Sequence, residues 1–327
     1  INYKKLSLPL ILFSFLLFFL GFYLDENSAG AGSYEGDIIN IWNNLQIFLA
    51  NDLLSSVNHS NYYDSRTPLA YILHEVLNPY VHDLNSYRKS VFVISMVLPI
   101  LFYLCLKQKY PREDNLLLVL ISSLLLLSPY FRTSSYWGLE ENYGLISMLL
   151  AFLSLNNFLK IDNKNYHKTH IFLFFTVFFS SCALYFDQKL AFISAICLLK
   201  IFTSKKLLQF KLLSIFYYIV LALPYIYLIS LWGGLMPAVI QESRELGSKI
   251  FLDQLGFAST IIAFYLLPLI LFKEEKIKNL IKKYLLNKRN YYLIFFFIIY
   301  LVYIIVFYDL GQSLYGKGLV KKIIFLL

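Results

Sequence analysis

The sequence has little charge and little cysteine for its length. Only 15% of its 327 residues are charged, whereas about 25% is usual for a soluble domain. The three cysteines each lie in an apolar run, at Cys105, Cys182 and Cys197, so neither a disulfide framework nor a cysteine metal cluster is indicated. Phosphate-binding loops, HExxH and CxxC patterns are absent, and the five histidines are scattered. These features argue against a soluble globular domain, a disordered chain and a nucleic-acid-binding module.

Long hydrophobic runs dominate instead. Hydrophobic residues make up 58% of the chain, and its mean hydropathy is +0.61. Because about 20 apolar residues cross a bilayer as a helix, the runs predict an all-α, polytopic membrane helical bundle of about ten spans, with residues 1–327 as one transmembrane domain. The last run is short, and we expect the chain to continue beyond it. The predicted spans are 6–24, 90–106, 115–130, 143–159, 171–186, 190–202, 212–231, 255–272, 291–307 and 319–327.

Basic residues alternate between the connecting segments. One set of segments, including 273–289, holds 19 of the 29 lysines and arginines. The positive-inside rule places this set, and the N-terminus, in the cytoplasm. The net charge of +9 is then mostly lipid-facing, so membrane lipids and not nucleic acid are the predicted partners. A bacterial inner membrane and an endoplasmic reticulum both fit this multi-pass arrangement.

The opposite side carries one long segment, 25–89, between the first two predicted spans. It begins with a Gly/Ser-rich stretch, and apolar residues then recur at i, i+3 and i+4 spacing, which predicts a helix over 38–54 lying in the membrane interface. Pro68 begins a second such helix, over 68–78. Asp37 precedes the first helix, where it fits two roles, a helix N-cap and a general base at the water–lipid boundary.

The other outer segments carry further candidate residues. Aromatic and acidic side chains follow the third span, and the pair Glu140-Glu141 is suited to holding a divalent cation, binding sugar hydroxyls or pairing with Arg132. Trp137 is an interface anchor or a stacking surface for a sugar. Lysine and arginine side chains bind phosphate by charge-assisted hydrogen bonds. The predicted phosphate-binding residues are Arg132, Lys189 and Arg244, and the remaining polar candidates are Asp187, Asp25, Asp64 and Arg66.

This arrangement resembles the GT-C fold glycosyltransferases, which are multi-span enzymes that use lipid-phosphate-linked sugars. The resemblance covers about the first 145 residues and rests on an early outer-loop acid, an interfacial helix and a second helix that opens with Thr67-Pro68-Leu69. A fainter likeness to dolichyl-phosphate-glucose-dependent glucosyltransferases adds Phe131-Arg132-Thr133 and Trp232-Gly233-Gly234. The resemblance implies that the catalytic acid lies in the first outer loop, where Asp37 is the best match and Asp25 the fallback.

The predicted function is transfer of a sugar from a polyprenyl-phosphate donor to a glycan, lipid or protein acceptor on the non-cytoplasmic face. Asp37 is the predicted base, and a divalent cation is the one cofactor for which the acids offer ligands. A lipid-linked sugar transporter or flippase is an alternative, although few charges lie at mid-span and no internal repeat is seen. A polysaccharide polymerase or ligase of another membrane fold, and a non-catalytic membrane scaffold, are further alternatives.

Overall fold

The computed structural model describes residues 3–26, 34–162 and 165–243, together with 295–296 and 298–299. The chain divides into two compact units, Ile1–Glu245 and Leu246–Leu327, and the three long described ranges all belong to the first. Of the last three predicted spans, 255–272 and 319–327 lie outside the described residues. Within 291–307 the structure describes four residues, and all four are helical.

Every regular element among the described residues is helical, as the hydrophobic pattern predicts. Two short 3₁₀-helices, Leu124–Leu127 and Gln188–Leu190, accompany the α-helices. The α-helices are α1 Tyr3–Tyr23, α2 Tyr34–Ala50, α3 Leu53–Val57, α4 Leu69–Leu77, α5 Leu84–Ser95, α6 Val97–Lys109, α7 Asn115–Ser123, α8 Pro129–Tyr136, α9 Glu141–Lys160, α10 Tyr166–Phe186, α11 Ala191–Thr203, α12 Leu208–Trp232 and α13 Ala238–Ser243.

Four helical stretches among the described residues are long and apolar enough to cross a membrane. They are Leu84–Lys109, which joins α5 and α6, and the helices α9, α10 and α12. They correspond to the predicted spans 90–106, 143–159, 171–186 and 212–231. A bent pair, Asn115–Leu127 with Pro129–Tyr136, raises the number to five if it is counted as one span.

Three other predicted spans are not among these four stretches. The run 115–130 bends by 65°, because Pro129 begins α8 in a new direction after the extended Ser128. The apolar part of the first span covers only Ser7–Tyr23. Helix α11, predicted as 190–202, has 13 residues and reaches about 20 Å at 1.5 Å per residue, which is short of a hydrocarbon core of about 30 Å.

The two helices predicted within 25–89 are present with shifted bounds. Helix α2 begins at Tyr34 and ends at Ala50, earlier than the predicted 38–54. The Asp52 carboxylate then accepts the backbone N–H of Ser55 at 3.2 Å, so it caps the separate helix α3. Helix α4 lies within the predicted range 68–78.

The apolar stripe of α2 forms part of the core. Ile38, Ile41, Leu45 and Phe48 are all buried, and the Phe48 ring stacks on a tyrosine of α4 with centroids 5.4 Å apart. This packing holds α2 beside α3 and α4, and it fixes the direction in which the polar face of α2 points.

Candidate functional site

The segments predicted to share one face meet at one end of the helical bundle. The Gln188 side chain, just after α10, donates to the Ser65 carbonyl at 3.0 Å. The Thr67 hydroxyl donates to the Tyr185 carbonyl, and the Trp232 indole at the end of α12 donates to the Val57 carbonyl at 3.1 Å. Residues 57–67 therefore contact the ends of both α10 and α12.

The Asn44 side chain holds the segment of residues 63–67, which carries Asp64 and Arg66. Its amide donates to the Tyr63 carbonyl at 2.9 Å, and its carbonyl oxygen accepts the Tyr63 N–H at 3.0 Å. The same amide donates to the Tyr71 hydroxyl at 3.3 Å, and that hydroxyl donates to the Asp64 carboxylate. Helices α2 and α4 thus fix the backbone at residues 63 and 64 from two sides.

Asp64 in turn orients Arg66, which faces an acid on α9. The Asp64 carboxylate accepts the Arg66 backbone N–H at 2.9 Å, and the Arg66 guanidinium forms an ion pair with Glu141. Burial works to lower the pKa of Arg66, but Glu141, Glu140 and Asp64 outweigh it and raise that pKa. Arg66 is therefore a fixed cation among three carboxyl groups.

Glu140 is the most buried of these acids. Its side chain is 1% exposed, and neither carboxyl oxygen has a hydrogen-bond partner among the described residues. Burial raises the pKa of Glu140 well above its ordinary value and Asp64 raises it further, while Arg66 and the nearby Tyr71 hydroxyl oppose the rise. The neutral acid is therefore the favoured form.

Asp37 borders two cavities at this end of the bundle. One, of about 180 Å³, is also lined by Asp64, Arg66 and Glu141. The other, of about 280 Å³, is lined by Trp137, Glu141 and Lys189. Asp37 and Glu141 are thus common to both cavities, and each cavity has one cation in its wall.

The helix bounds exclude one of the two predicted roles of Asp37. Helix α2 begins three residues before it, at Tyr34, so Asp37 lies in the first turn and the N-cap prediction is wrong. On a helix, residues 37, 41 and 44 share one face, and all three line the smaller cavity. Asp37 is exposed, so solvent can reach it.

Arg132, a predicted phosphate-binding residue, belongs to a different cluster, and it does not form the ion pair with Glu140 or Glu141 that was one of three alternatives for those acids. It forms an ion pair with Glu26 and donates to the Leu17 carbonyl at 2.9 Å. It lies four residues after Ser128, on the bent helix α8, which contacts α1. The bend therefore directs Arg132 toward the end of α1, and it lines neither Asp37 cavity.

The fallback acid Asp25 lies in the same cluster. It forms an ion pair with Arg88 at 2.7 Å, and the Arg88 guanidinium stacks over Trp137 at 3.9 Å from the ring centroid. Trp137 also donates to the Glu26 carbonyl at 3.1 Å. Trp137 therefore separates this cluster from the larger Asp37 cavity, which it lines.

Lys189 lies in the 3₁₀-turn after α10, and Asp187 caps that turn. The buried Asp187 carboxylate accepts the Lys189 backbone N–H at 3.0 Å, so Asp187 stabilises the 3₁₀-turn. The Lys189 side chain is exposed at the cavity that Asp37 borders. Arg244 lies outside the described residues.

The acids do not form a metal site in the part of the chain that the structure describes. No group of three or more His, Cys, Asp or Glu side chains is arranged there to hold a metal ion. Glu141 is instead neutralised by Arg66. The other predicted role of the Glu pair, hydrogen bonding to sugar hydroxyls, fits Glu141 because it lines both cavities.

Two residues of the site were not predicted from the sequence, Asn44 and Tyr71. Asn44 is a polar residue of α2, yet it is 2% exposed. Its spacing from Ile41 and Phe48, three and four residues, places it on that stripe and is the signal that could have identified it. Tyr71 lies one turn after Pro68 on α4, and nothing in its local pattern distinguishes it from a core tyrosine.

Comparison of the chain with protein-family models, curated proteins and solved structures finds no match.

Proposed function

We propose that this protein is a membrane glycosyltransferase that moves a sugar from a polyprenyl-phosphate donor to an acceptor hydroxyl, with Asp37 as the general base. One observation carries the proposal. Asp37 and Glu141 border two adjoining cavities, and a cation, Arg66 or Lys189, lines each of them. A base beside cations is the arrangement that transfer from a phosphate leaving group requires.

Each polar group has a role that matches its position. Lys189 is exposed and binds the donor phosphate as a point charge, in place of Arg132, which is paired with Glu26. Trp137, in the same cavity wall, offers a ring face to the sugar. Arg66 holds Glu141 in a fixed orientation, so that Glu141 accepts hydrogen bonds from sugar hydroxyls.

The proposed reaction breaks the bond between the anomeric carbon and the phosphate oxygen and forms a bond from that carbon to the acceptor oxygen. Asp37 takes the proton that the acceptor hydroxyl loses, while the electron pair of the broken bond stays on the polyprenyl phosphate. Positive charge develops on the sugar ring as the bond breaks. The carboxylates of Asp37 and Glu141 stabilise that charge, and Lys189 stabilises the phosphate.

The test measures sugar transfer in membranes that contain the protein, with a panel of polyprenyl-phosphate sugars as donors. We expect Lys189→Gln to raise the donor KM about tenfold, because a hydrogen bond to a charged group contributes about 1.5–3 kcal/mol. Lys168→Gln is the matched control, since Lys168 is an exposed lysine near the start of α10.

Two results would contradict the proposal. One is the absence of transfer from every donor by wild-type protein that is folded and membrane-inserted. The other is transport of an intact lipid-linked sugar across the vesicle bilayer, which would favour a flippase.

A further inference from the structure

A larger, apolar cleft lies apart from the two Asp37 cavities. It has a volume of about 590 Å³ and lies between α4 and α5, with the first turn of α9 and the last turn of α10 closing it. It shares no described lining residue with either Asp37 cavity. A ligand in this cleft would therefore not touch Asp37, so the cleft is not the place of the proposed reaction.

Three rings form one wall of the cleft. The Tyr143 ring stacks on Phe186 with centroids 5.6 Å apart, and His74 meets the same tyrosine edge-on at 5.3 Å. All three rings line the cleft. The next residues along α9 toward its start, Asn142 and Glu141, line the larger Asp37 cavity, so the cleft and that cavity both border the first turn of α9.

The opposite wall belongs to a membrane-spanning helix. Val93, on the Leu84–Lys109 span, lines the cleft and is 65% exposed. Leu77 and Tyr80, also in the lining, are 70% and 59% exposed. Large exposed apolar side chains beside a membrane span are suited to contact hydrocarbon chains and not water.

The charged groups of the cleft favour an anion. Lys89 lies on α5, one turn before Val93 and near the start of the Leu84–Lys109 span. Ser86 lies one turn before Lys89. The other titratable nitrogen is His74, whose pKa burial lowers to about 4, so it is neutral at pH 7. No acidic side chain is among the residues described as lining the cleft. A lysine and a serine above an apolar wall match a phosphate above a hydrocarbon chain.

We propose that this cleft binds an anionic glycerophospholipid of the membrane, with its phosphate at Lys89 and one hydrocarbon chain along Val93 and the ring wall. The bound lipid fills the space between α4 and the Leu84–Lys109 span. It thereby supports α4, whose Tyr71 holds Asp64 in the site. The proposal does not depend on the glycosyltransferase activity.

Native mass spectrometry of the whole purified chain tests the proposal, with phosphatidylglycerol and phosphatidylcholine of identical chains added in turn. We expect wild type to bind phosphatidylglycerol more tightly. Lys89→Gln should weaken phosphatidylglycerol binding about fivefold, as expected for one lysine near an anionic surface, and leave phosphatidylcholine binding unchanged. Lys107→Gln, at the other end of the same span, is the control and should behave as wild type.

A second pair of variants tests the apolar part of the cleft. Val93→Trp should fill it and weaken binding of both lipids, and Leu77→Gln should do the same with less steric change. Both side chains are exposed, so folding should persist, and thermal unfolding checks this. Equal binding of the two lipids by wild type, or wild-type binding by Lys89→Gln or by both apolar variants, would overturn the proposal. Displacement of phosphatidylglycerol by polyprenyl phosphate in wild type but not in Val93→Trp would also overturn it, because the cleft would then belong to the donor.

Discussion

At the scale of single residues, the carboxyl group of Glu140 is buried, and ionising it would be energetically unfavourable. It is removed from water with no hydrogen-bond partner among the described residues, and Asp64 lies near enough to raise its pKa further. An ionised carboxylate in such a place costs several kcal/mol unless it is paired, and the nearby guanidinium of Arg66 already pairs with Glu141. The folded protein therefore favours the protonated form of Glu140.

This protonation predicts a pH-dependent effect of Glu140→Gln on stability. A carboxyl with a raised folded-state pKa contributes stability that is fully present below the unfolded value of about 4.5. That stability is lost as the pH rises toward the folded-state pKa. A glutamine does not titrate, so the variant should gain in melting temperature over wild type between pH 5 and pH 8.

Thermal unfolding at both pH values measures this gain, with Glu75→Gln as the control because Glu75 is exposed on α4. The control should show the same difference from wild type at both pH values. A Glu140→Gln difference that is equal at pH 5 and pH 8 would mean that Glu140 is ionised in the folded protein.

Four predicted site residues, Asp37, Glu141, Trp137 and Lys189, line one cavity, and their roles stay predictions. Arg132 does not line that cavity, because its direction depends on a 65° bend. Neither the bend angle nor the position of Glu26 beside α8 follows from local sequence.

At the scale of elements, the segment 63–67 depends on α2. The two hydrogen bonds between Asn44 and the Tyr63 backbone tie this segment to α2. Asn44→Leu removes both and should therefore destabilise the protein by about 1–3 kcal/mol, since each intramolecular hydrogen bond contributes about 0.5–1.5 kcal/mol. It should also reduce transfer, because Arg66 and Asp64 lie on this segment.

Asn43→Leu is the matched control for Asn44→Leu, because Asn43 is exposed on the same helix. Its effect should stay within about 0.5 kcal/mol. Thermal or denaturant unfolding in detergent compares the two variants. Equal effects of the two substitutions would show that Asn44 does not hold the segment.

The helices themselves could be predicted well from hydrophobic periodicity, but their ends could not. The stripe of α2 is buried as expected, yet the helix ends at Ala50 because Asp52 caps a new helix. The apolar run 190–202 forms α11 with bounds shifted by one residue, but 13 residues are too few to cross the hydrocarbon core. At the end of α2 a capping contact sets the helix length, and composition does not show it.

At the scale of the whole molecule, the contacts bring residues 57–67, 137–141 and 187–189 to one end of the bundle. The side of the membrane on which this end lies follows from the positive-inside rule alone. We expect it to be the non-cytoplasmic side.

Cysteine labelling in intact cells tests this orientation. Asn61→Cys is exposed at the site end, and Lys109→Cys is exposed at the far end of the Leu84–Lys109 span. A membrane-impermeant maleimide should label Asn61→Cys in intact cells and Lys109→Cys only after permeabilisation, with the wild type as the control for the three native cysteines. The opposite pattern would reverse the orientation.

Single-turnover transfer by the purified protein separates the chemical role of Asp37 from donor binding. Asp37→Asn removes the base with little change in shape, and Asp52→Asn is the control because Asp52 is an exposed cap on α3. We predict that Asp37→Asn lowers the rate of sugar transfer by about 10²–10⁴-fold but binds the donor as tightly as wild type. Asp52→Asn should transfer sugar at the wild-type rate. Transfer by folded Asp37→Asn at the wild-type rate would contradict the assignment of Asp37 as the general base.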